Sequence, residues 1–197
     1  RGIKQVYHLG DLVDRRKYIN FHTANKIREI FLAPIIEAEC SLTVMVGNHD
    51  CYWKNTNFVN ALHELGLNNL PNTTIHITPA EVELEGTKIL LMPWIAPDLE
   101  AQALETIRTT KAQVLFGHLE LKGFEMYKGT FSDVGYDASV FDRFELVCSG
   151  HFHHKSTYGN INYLGSPYEM TWADYGDTKG FHIFDTSNRS LEFIPNP

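Results

Sequence analysis

Four short segments of the chain each join a glycine to side chains that can bind a metal ion. In chain order they are Gly10-Asp11-Leu12-Val13-Asp14, Gly47-Asn48-His49-Asp50, Gly117-His118 and Gly150-His151-Phe152-His153. Carboxylate, amide oxygen and imidazole groups together suit manganese, iron or zinc, and no cysteine is needed. The set predicts a hydrolytic centre built on two metal ions.

Each group in the set has a role that its chemistry suggests. Two neighbouring cations need a bridging ligand, and the carboxylate of Asp11 offers the two oxygens for it. The other candidate ligands are one amide and three imidazoles: Asn48, His118, His151 and His153. If the last motif is extended, His151 and His153 lie on one side of the chain, because side chains alternate with period two. A lone Gly-His pair is weak evidence, but the ordered set favours a metal site over polar residues at strand ends.

Every motif follows an apolar run that predicts a buried strand, and open α/β sheets build their sites where strands end. These predicted strands cover residues 6–9, 42–46, 112–116 and 146–149. Helical spacing of apolar residues predicts helices over 21–38, 59–65 and 99–109, the first kinked or split by Pro34. Turn residues predict three hairpins, 81–84 with 88–92, 156–158 with 161–164, and 181–184 with 191–194.

A parallel α/β half therefore precedes an antiparallel half. We expect an α/β fold of two facing mixed β-sheets sandwiched between helices, in a single domain over residues 1–197. The chain begins with Arg1 rather than Met and ends at Pro197, just after a hairpin. We therefore expect truncation at both ends, with an opening strand missing.

Composition narrows the class of protein. No apolar run reaches the roughly 18 residues that a membrane span needs, and no signal peptide is visible. The three scattered cysteines do not form a disulfide framework, which favours a reducing, intracellular location. A net charge of −7 argues against a broad basic surface that holds nucleic acid unaided.

On these motifs the sequence resembles the calcineurin-like metallophosphoesterases. Within them it is similar to the SbcD-type nuclease subunits and their T-even phage counterparts. The likeness extends to Met92-Pro93-Trp94, Gly165-Ser166-Pro167 and Tyr175-Gly176-Asp177-Thr178-Lys179-Gly180-Phe181. The fold that this resemblance implies, a pair of mixed sheets between helices, agrees with the pattern of strands and helices.

The resemblance also implies ligand roles. Asp11 would bridge both metals, His153 would serve the first, and the second would be completed by Asn48, His118 and His151. The remaining first-metal ligands of the family lie in an Asp-x-His segment that this sequence lacks, so the first site is incomplete. The resemblance implies manganese, with magnesium, iron or zinc as alternatives.

Further roles follow for residues beside the ligands. In the family, the histidine at the position of His49 stabilises or protonates the leaving group. Asp14 would hydrogen-bond His49 and set its tautomer, or else it is a turn or helix-start residue. Arg15 is a candidate phosphate contact or a solvated side chain. Tyr52 and Trp53 are candidates for stacking on a base or for core packing.

The resemblance implies a manganese-dependent DNA nuclease subunit that acts in recombination and repair, with exonuclease and single-strand endonuclease activity. It further implies a homodimer, a partner ATPase of the SbcC type, no membrane association, and the cytoplasm of a bacterial or phage-infected cell.

Two other hypotheses stay open. Gly-Asp-x-Val-Asp-Arg also resembles serine/threonine protein phosphatases, which favours a phosphatase or small phosphodiesterase. Two differences argue against a protein phosphatase: Arg16 replaces an expected glycine, and Asp50 stands where those enzymes carry glutamate. The missing opening strand is also compatible with a non-catalytic, truncated module.

Overall fold

The computed structural model describes residues 2–197, which form two main β-sheets with helices around them. The strands are β1 Gln5–His8, β2 Ser41–Met45, β3 Thr73–His76, β4 Ala80–Leu84, β5 Thr87–Met92, β6 Val114–Gly117, β7 Glu125–Tyr127, β8 Thr130–Phe131, β9 Leu146–Ser149, β10 Ser156–Tyr158, β11 Ile161–Tyr163, β12 Gly180–Asp185 and β13 Ser190–Pro195. The helices are α1 Phe21–Lys26, a π-helical segment Ile27–Leu32, α2 Ala33–Glu37, α3 Ala61–Glu64 and α4 Glu100–Thr109, with 3-10 turns at Leu67–Asn69, Ala138–Phe141 and Trp172–Asp174.

The first sheet is parallel and the second is mixed. The first has the order β1-β2-β3, and the second has the order β10-β11-β9-β6-β5-β4. In the second sheet, β5, β6, β9 and β11 are parallel, and the two edge strands are antiparallel to their neighbours. The three predicted hairpins are present. The expected antiparallel second half is only partly right, because β11 joins β9 in parallel.

Alternating side chains show how the layers are arranged. On β5, Leu90 lies in a core cluster with Ala103 and Ile107 of helix α4. Its neighbour Leu91 lies in a different cluster, with Met45 of the first sheet. Because successive side chains on a strand point to opposite faces, the two sheets face each other and α4 covers the outside. This confirms the predicted α/β fold of two facing sheets with helices outside, but only the second sheet is mixed, because all strands of the first are parallel.

The long helix is divided where the sequence predicts a disturbance. Pro34 has no N–H to donate, and inside a helix that removes one hydrogen bond. The preceding turn widens into a π-helix, in which the Ala33 N–H donates to Arg28 O, five residues back. The helix continues as α2, so the proline splits the helix without ending it. Among the described residues, no helix combines the length and apolarity needed to cross a bilayer.

Helix α3 is shorter than expected because its start is fixed by a side chain. The predicted span was 59–65, whereas α3 is Ala61–Glu64. Asn60 is its N-cap and accepts a hydrogen bond from the His63 N–H at 3.1 Å. Gly66 follows with a φ of 77°, a left-handed conformation suited to the end of a helix.

Candidate metal centre

The metal-binding motifs meet where four strands from both sheets end. Asp11 follows β1, the Asn48 motif follows β2, and the two histidine motifs follow β6 and β9. The ligand atoms of Asp11, His118 and His151 lie within 4.8 Å of one another. Within residues 2–197, no other His, Cys, Asp or Glu residues gather in this way.

The contacts of the His118 ring identify Nε2 as the nitrogen that faces the centre. The fully buried ring places Nδ1 2.7 Å from Leu9 O, and a carbonyl can only accept, so Nδ1 carries a proton. Nε2 therefore faces Asn48 Oδ1 at 2.9 Å and Asp11 Oδ2 at 3.2 Å. Burial alone would lower the His118 pKa, but the charge of Asp11 and these hydrogen bonds raise it. A cation at this position would replace the proton on Nε2.

His151 completes a set of four convergent atoms. Its Nδ1 lies 3.0 Å from Asn48 Oδ1 and 3.3 Å from His118 Nε2. Carboxylate and amide oxygens beside two imidazole nitrogens form a donor set that fits a divalent transition metal. Although burial raises it, the neighbouring His118 and the His49 N–H hold the pKa of Asp11 well below its usual range. Asp11 is therefore anionic at neutral pH, as a metal ligand must be.

Two of these side chains extend from strained backbone. Asp11 has a φ of 55° and His151 a φ of 86°, and both lie in the left-handed region that L-residues rarely adopt. Such strain persists only where surrounding contacts fix it, and it is often found at functional sites. The glycine of the second motif is needed for space, because a Cβ on Gly47 would collide with the Asp11 carboxylate.

Asp50, to which the sequence gives no role, connects the first two motifs. The fully buried carboxylate accepts hydrogen bonds from the Asp11 and Gly47 N–H groups at 2.8 Å each, and from Val13 N–H at 3.2 Å. Burial, followed by the charge of Asp11, raises the Asp50 pKa to about 7. The signal that could have found it is its place in Gly-Asn-His-Asp, directly after the predicted general acid His49.

His49 contacts Asp14, but not through the group that the sequence suggests. Its Nδ1 lies 2.7 Å from the main-chain oxygen of Asp14, whereas the carboxylate is 3.8 Å away. The expected hydrogen bond to the carboxylate is therefore wrong, because that side chain is 72% exposed and remains in solvent. The carbonyl fixes the same tautomer, with the proton on Nδ1. The His49 N–H donates to Asp11 Oδ1 at 2.7 Å.

His153 lies outside the cluster of Asp11, His118 and His151. Its Nδ1 faces Asp174 Oδ2 at 3.5 Å, and its ring lies 5.8 Å from that of Tyr127. The motif does not form the extended segment on which a shared side for His151 and His153 would depend. The positive φ of His151 turns the chain, and the motif lies after β9 rather than within a strand.

Of the predicted substrate residues, Arg15 and Trp53 are exposed and Tyr52 is partly buried. Arg15 hydrogen-bonds the Tyr18 hydroxyl and lines, with Asp14, a cleft of about 320 Å³. The rings of Tyr52 and Trp53 meet edge to face at 4.6 Å. Trp53 is half exposed, so core packing does not account for it.

Two further residues, which the sequence motifs did not assign to the site, border the centre. Glu120 Oε1 lies 3.6 Å from His151 Nε2. With Nε2 of the ring beside Glu120, Nδ1 is the nitrogen that faces the cluster. Trp94 lies 5.5 Å from His151, ring to ring. Both line a depression of about 370 Å³ beside His118. No spacing rule links Glu120 to His151, although Met92-Pro93-Trp94 already marked the tryptophan as part of a shared segment.

Comparison with known proteins agrees with this arrangement. Residues 1–155 match the family model of the calcineurin-like phosphoesterases. Exonuclease subunit 1 of Enterobacteria phage T4 is 38% identical over 195 residues, which are 99% of this chain and 57% of that protein. Putative phosphoesterase 078R of Invertebrate iridescent virus 3 is 30% identical over 163 residues, 80% of this chain and 45% of that protein. A subunit of the SbcCD nuclease from Staphylococcus epidermidis is 29% identical over 106 residues, 48% and 28% respectively.

The chain spans 57% or less of the length of these three relatives. The family match covers all four metal-binding motifs, and it implies the use of divalent metal ions. The matched residues and the clustered ligand atoms lead to the same conclusion, that this chain belongs to the calcineurin-like phosphoesterase family.

Proposed function

We propose that this chain is the catalytic domain of a metal-dependent DNA nuclease subunit that hydrolyses phosphodiester bonds in recombination and repair. The observation that carries the proposal is the convergence of Asp11 Oδ2, Asn48 Oδ1, His118 Nε2 and His151 Nδ1. Two relatives whose names describe nucleases, a phage exonuclease subunit and an SbcCD subunit, support a nucleic acid as the substrate.

In this proposal four residues hold one cation: Asp11, Asn48, His118 and His151. Asp11, together with His153, would also hold a second cation, for which the given residues offer no further ligand of the family pattern. Bound manganese would polarise the phosphodiester and lower the pKa of a water between the ions. Magnesium, iron or zinc would suit the same ligands.

His49 is proposed to protonate the leaving oxygen. The hydrogen bond from Nδ1 to the main-chain oxygen of Asp14 fixes the ring and leaves Nε2 free. A doubly protonated ring can then donate from Nε2 to the leaving group. The Asp14 carboxylate, 3.8 Å away, would offset the positive charge of that ring.

Contacts with the substrate and with partner proteins are proposed from the same family resemblance. Arg15 is proposed to contact a phosphate, and Tyr52 and Trp53 to stack on a base. An acidic chain gains little affinity for DNA from its own charge. We therefore propose that DNA binding depends on the cations, on a second copy of the chain and on an SbcC-type ATPase, in the cytoplasm of a bacterial or phage-infected cell.

Cleavage of linear DNA in the presence of Mn²⁺ tests the proposal. We expect His49→Ala to lower the rate constant for cleavage about 100-fold or more while Mn²⁺ binding, followed by calorimetry, is retained. Asp11→Ala is expected to abolish both DNA cleavage and Mn²⁺ binding, because it removes the bridging carboxylate. His22→Ala, which alters an exposed histidine outside the motifs, is the matched control and should leave both unchanged.

Other results would favour the other hypotheses. Turnover of phosphopeptides with no cleavage of single- or double-stranded DNA would identify a phosphatase. A calorimetric titration in which no Mn²⁺ binds would identify a non-catalytic module.

A further inference from the structure

A buried lysine, Lys179, connects the C-terminal part of the chain to the last metal-binding motif. The Lys179 side chain is only 5% exposed. Its ammonium donates to His153 O at 2.6 Å, to Asp174 Oδ1 at 3.0 Å and to Asp177 Oδ2 at 2.9 Å. An ammonium has three N–H donors, so each has one acceptor. Lys179 is therefore held in one position.

Asp174 links this lysine to the His153 ring. While Oδ1 accepts from Lys179, Oδ2 accepts from the Thr171 N–H at 2.8 Å and from the Thr171 hydroxyl at 3.0 Å. The same Oδ2 lies 3.5 Å from His153 Nδ1. Asp174 thus lies beside Nδ1 of His153 and leaves Nε2 on the other side of the ring.

The neighbouring histidine is held from the same segment. His154 Nδ1 lies 3.0 Å from Asp177 Oδ2, and its Nε2 lies 3.1 Å from Glu125 Oε2. The main-chain oxygen of His153 also accepts from the Ser166 N–H at 3.1 Å. Contacts from beyond the motif therefore fix a loop in which His151 has a strained, positive φ.

We propose that Lys179 is a positioning residue for the metal centre. Through the carbonyl of His153, and together with Asp174, it holds the loop that carries His151 and His153 toward the cations. Lys179 itself contacts neither cation nor substrate. The proposal rests on the metal centre described under Proposed function, and it gives the shared segment Tyr175–Phe181 a physical role. Residues that orient metal ligands typically contribute 10–100-fold to metal affinity.

Mn²⁺ affinity of the folded protein tests the proposal without relying on activity. We expect Lys179→Met to weaken Mn²⁺ binding about 10–100-fold, measured by calorimetry and by the EPR signal of free Mn²⁺. Lys122→Met is the matched control, because Lys122 is half-exposed and pairs with Asp137 at 3.4 Å, outside the motifs. It should bind Mn²⁺ as the parent does.

Lys179→Met leaves two carboxylates without their cation, which itself opposes folding. The double variant Lys179→Met with Asp177→Asn restores the charge balance and is expected to show the same loss of affinity. Circular dichroism confirms that each titrated sample is folded, and Mn²⁺ affinity is compared at equal folded fraction.

The outcomes separate this proposal from the proposed function. Parent affinity for Mn²⁺ in both Lys179 variants would overturn the positioning role, whatever the nuclease assay shows. A parent protein that binds Mn²⁺ but cuts no DNA would overturn the nuclease, and weakened binding in the variants would still support the role of Lys179. A parent that binds no Mn²⁺ would overturn both.

Discussion

At the scale of single residues, the carboxylate of Asp50 holds the main chain of the first two motifs in place. Its two oxygens accept three main-chain N–H groups, from Asp11, Val13 and Gly47. Asp11 has a positive φ, and its main chain is held in that conformation by one of these bonds. The main-chain position of Asp11, the proposed bridging ligand, is therefore set by a residue that need not contact a cation.

Asp50→Ala is expected to reduce both stability and metal binding. Because it leaves three N–H groups without their acceptor, the free energy of unfolding should fall by about 3 kcal/mol or more. Urea unfolding in EDTA measures this loss, and Mn²⁺ titration measures the effect on Asp11. Asp133→Ala, which changes an exposed carboxylate, should alter neither. An unchanged midpoint for Asp50→Ala would contradict the role given to these hydrogen bonds.

Residue types and spacing predicted which ligands could converge, but not how each is oriented. The structure brings together Asp11, Asn48, His118 and His151, and their binding of a cation stays a prediction. The contact between His49 and Asp14 uses a carbonyl, and Nδ1 of His153 lies beside Asp174. Both depend on backbone angles and on segments distant in sequence, which local patterns do not encode.

At the scale of elements, the predicted strands lie within one or two residues of those observed, because apolar runs bounded by glycine define them well. Helix ends were less predictable. Asn60 starts α3 two residues later than the pattern suggests, and the widened turn before Pro34 depends on hydrogen bonding that composition does not reveal. Side chains that cap or bridge elements set these details.

Asn57 is one such bridge, and its removal should be costly. Its buried amide donates to Ile77 O at 3.0 Å and to Trp94 O at 2.7 Å, after β3 and β5 respectively. It also accepts from Cys51 Sγ at 3.2 Å. We expect Asn57→Ala to lower the free energy of unfolding by about 3 kcal/mol, measured by urea denaturation.

A matched amide elsewhere serves as the control for that measurement. Asn55 is exposed, and Asn55→Ala should change stability by less than about 0.5 kcal/mol. Equal effects of the two substitutions would show that the bridge between the sheets contributes little.

At the scale of the whole molecule, an α/β half followed by hairpins predicted two facing sheets, and this is confirmed. The parallel pairing of β11 with β9 was not predicted, because β10 and β11 read only as a hairpin. Non-local pairing of this kind has no local sequence signal. It also places the loop after β9, with His151, beside the core of the larger sheet.

Thiol reactivity reports the integrity of this double-sheet core. Cys51 and Cys148 are buried in separate clusters, and burial raises the pKa of each thiol to about 12. Because the thiolate is the reactive form, we expect a thiol-specific disulfide reagent at pH 8 to modify Cys40 alone. In guanidinium all three should react. Rapid modification of Cys148 in the native protein would contradict the closed packing between the sheets.

The candidate ligands come from both sheets, Asp11 and Asn48 from the ends of β1 and β2, His118 and His151 from the ends of β6 and β9. A divalent ion held by all four would act as a non-covalent cross-link between the two layers, so the layers could not separate without releasing it. Loading with metal would then slow amide hydrogen exchange in strands of both sheets, far beyond the residues that touch the ion.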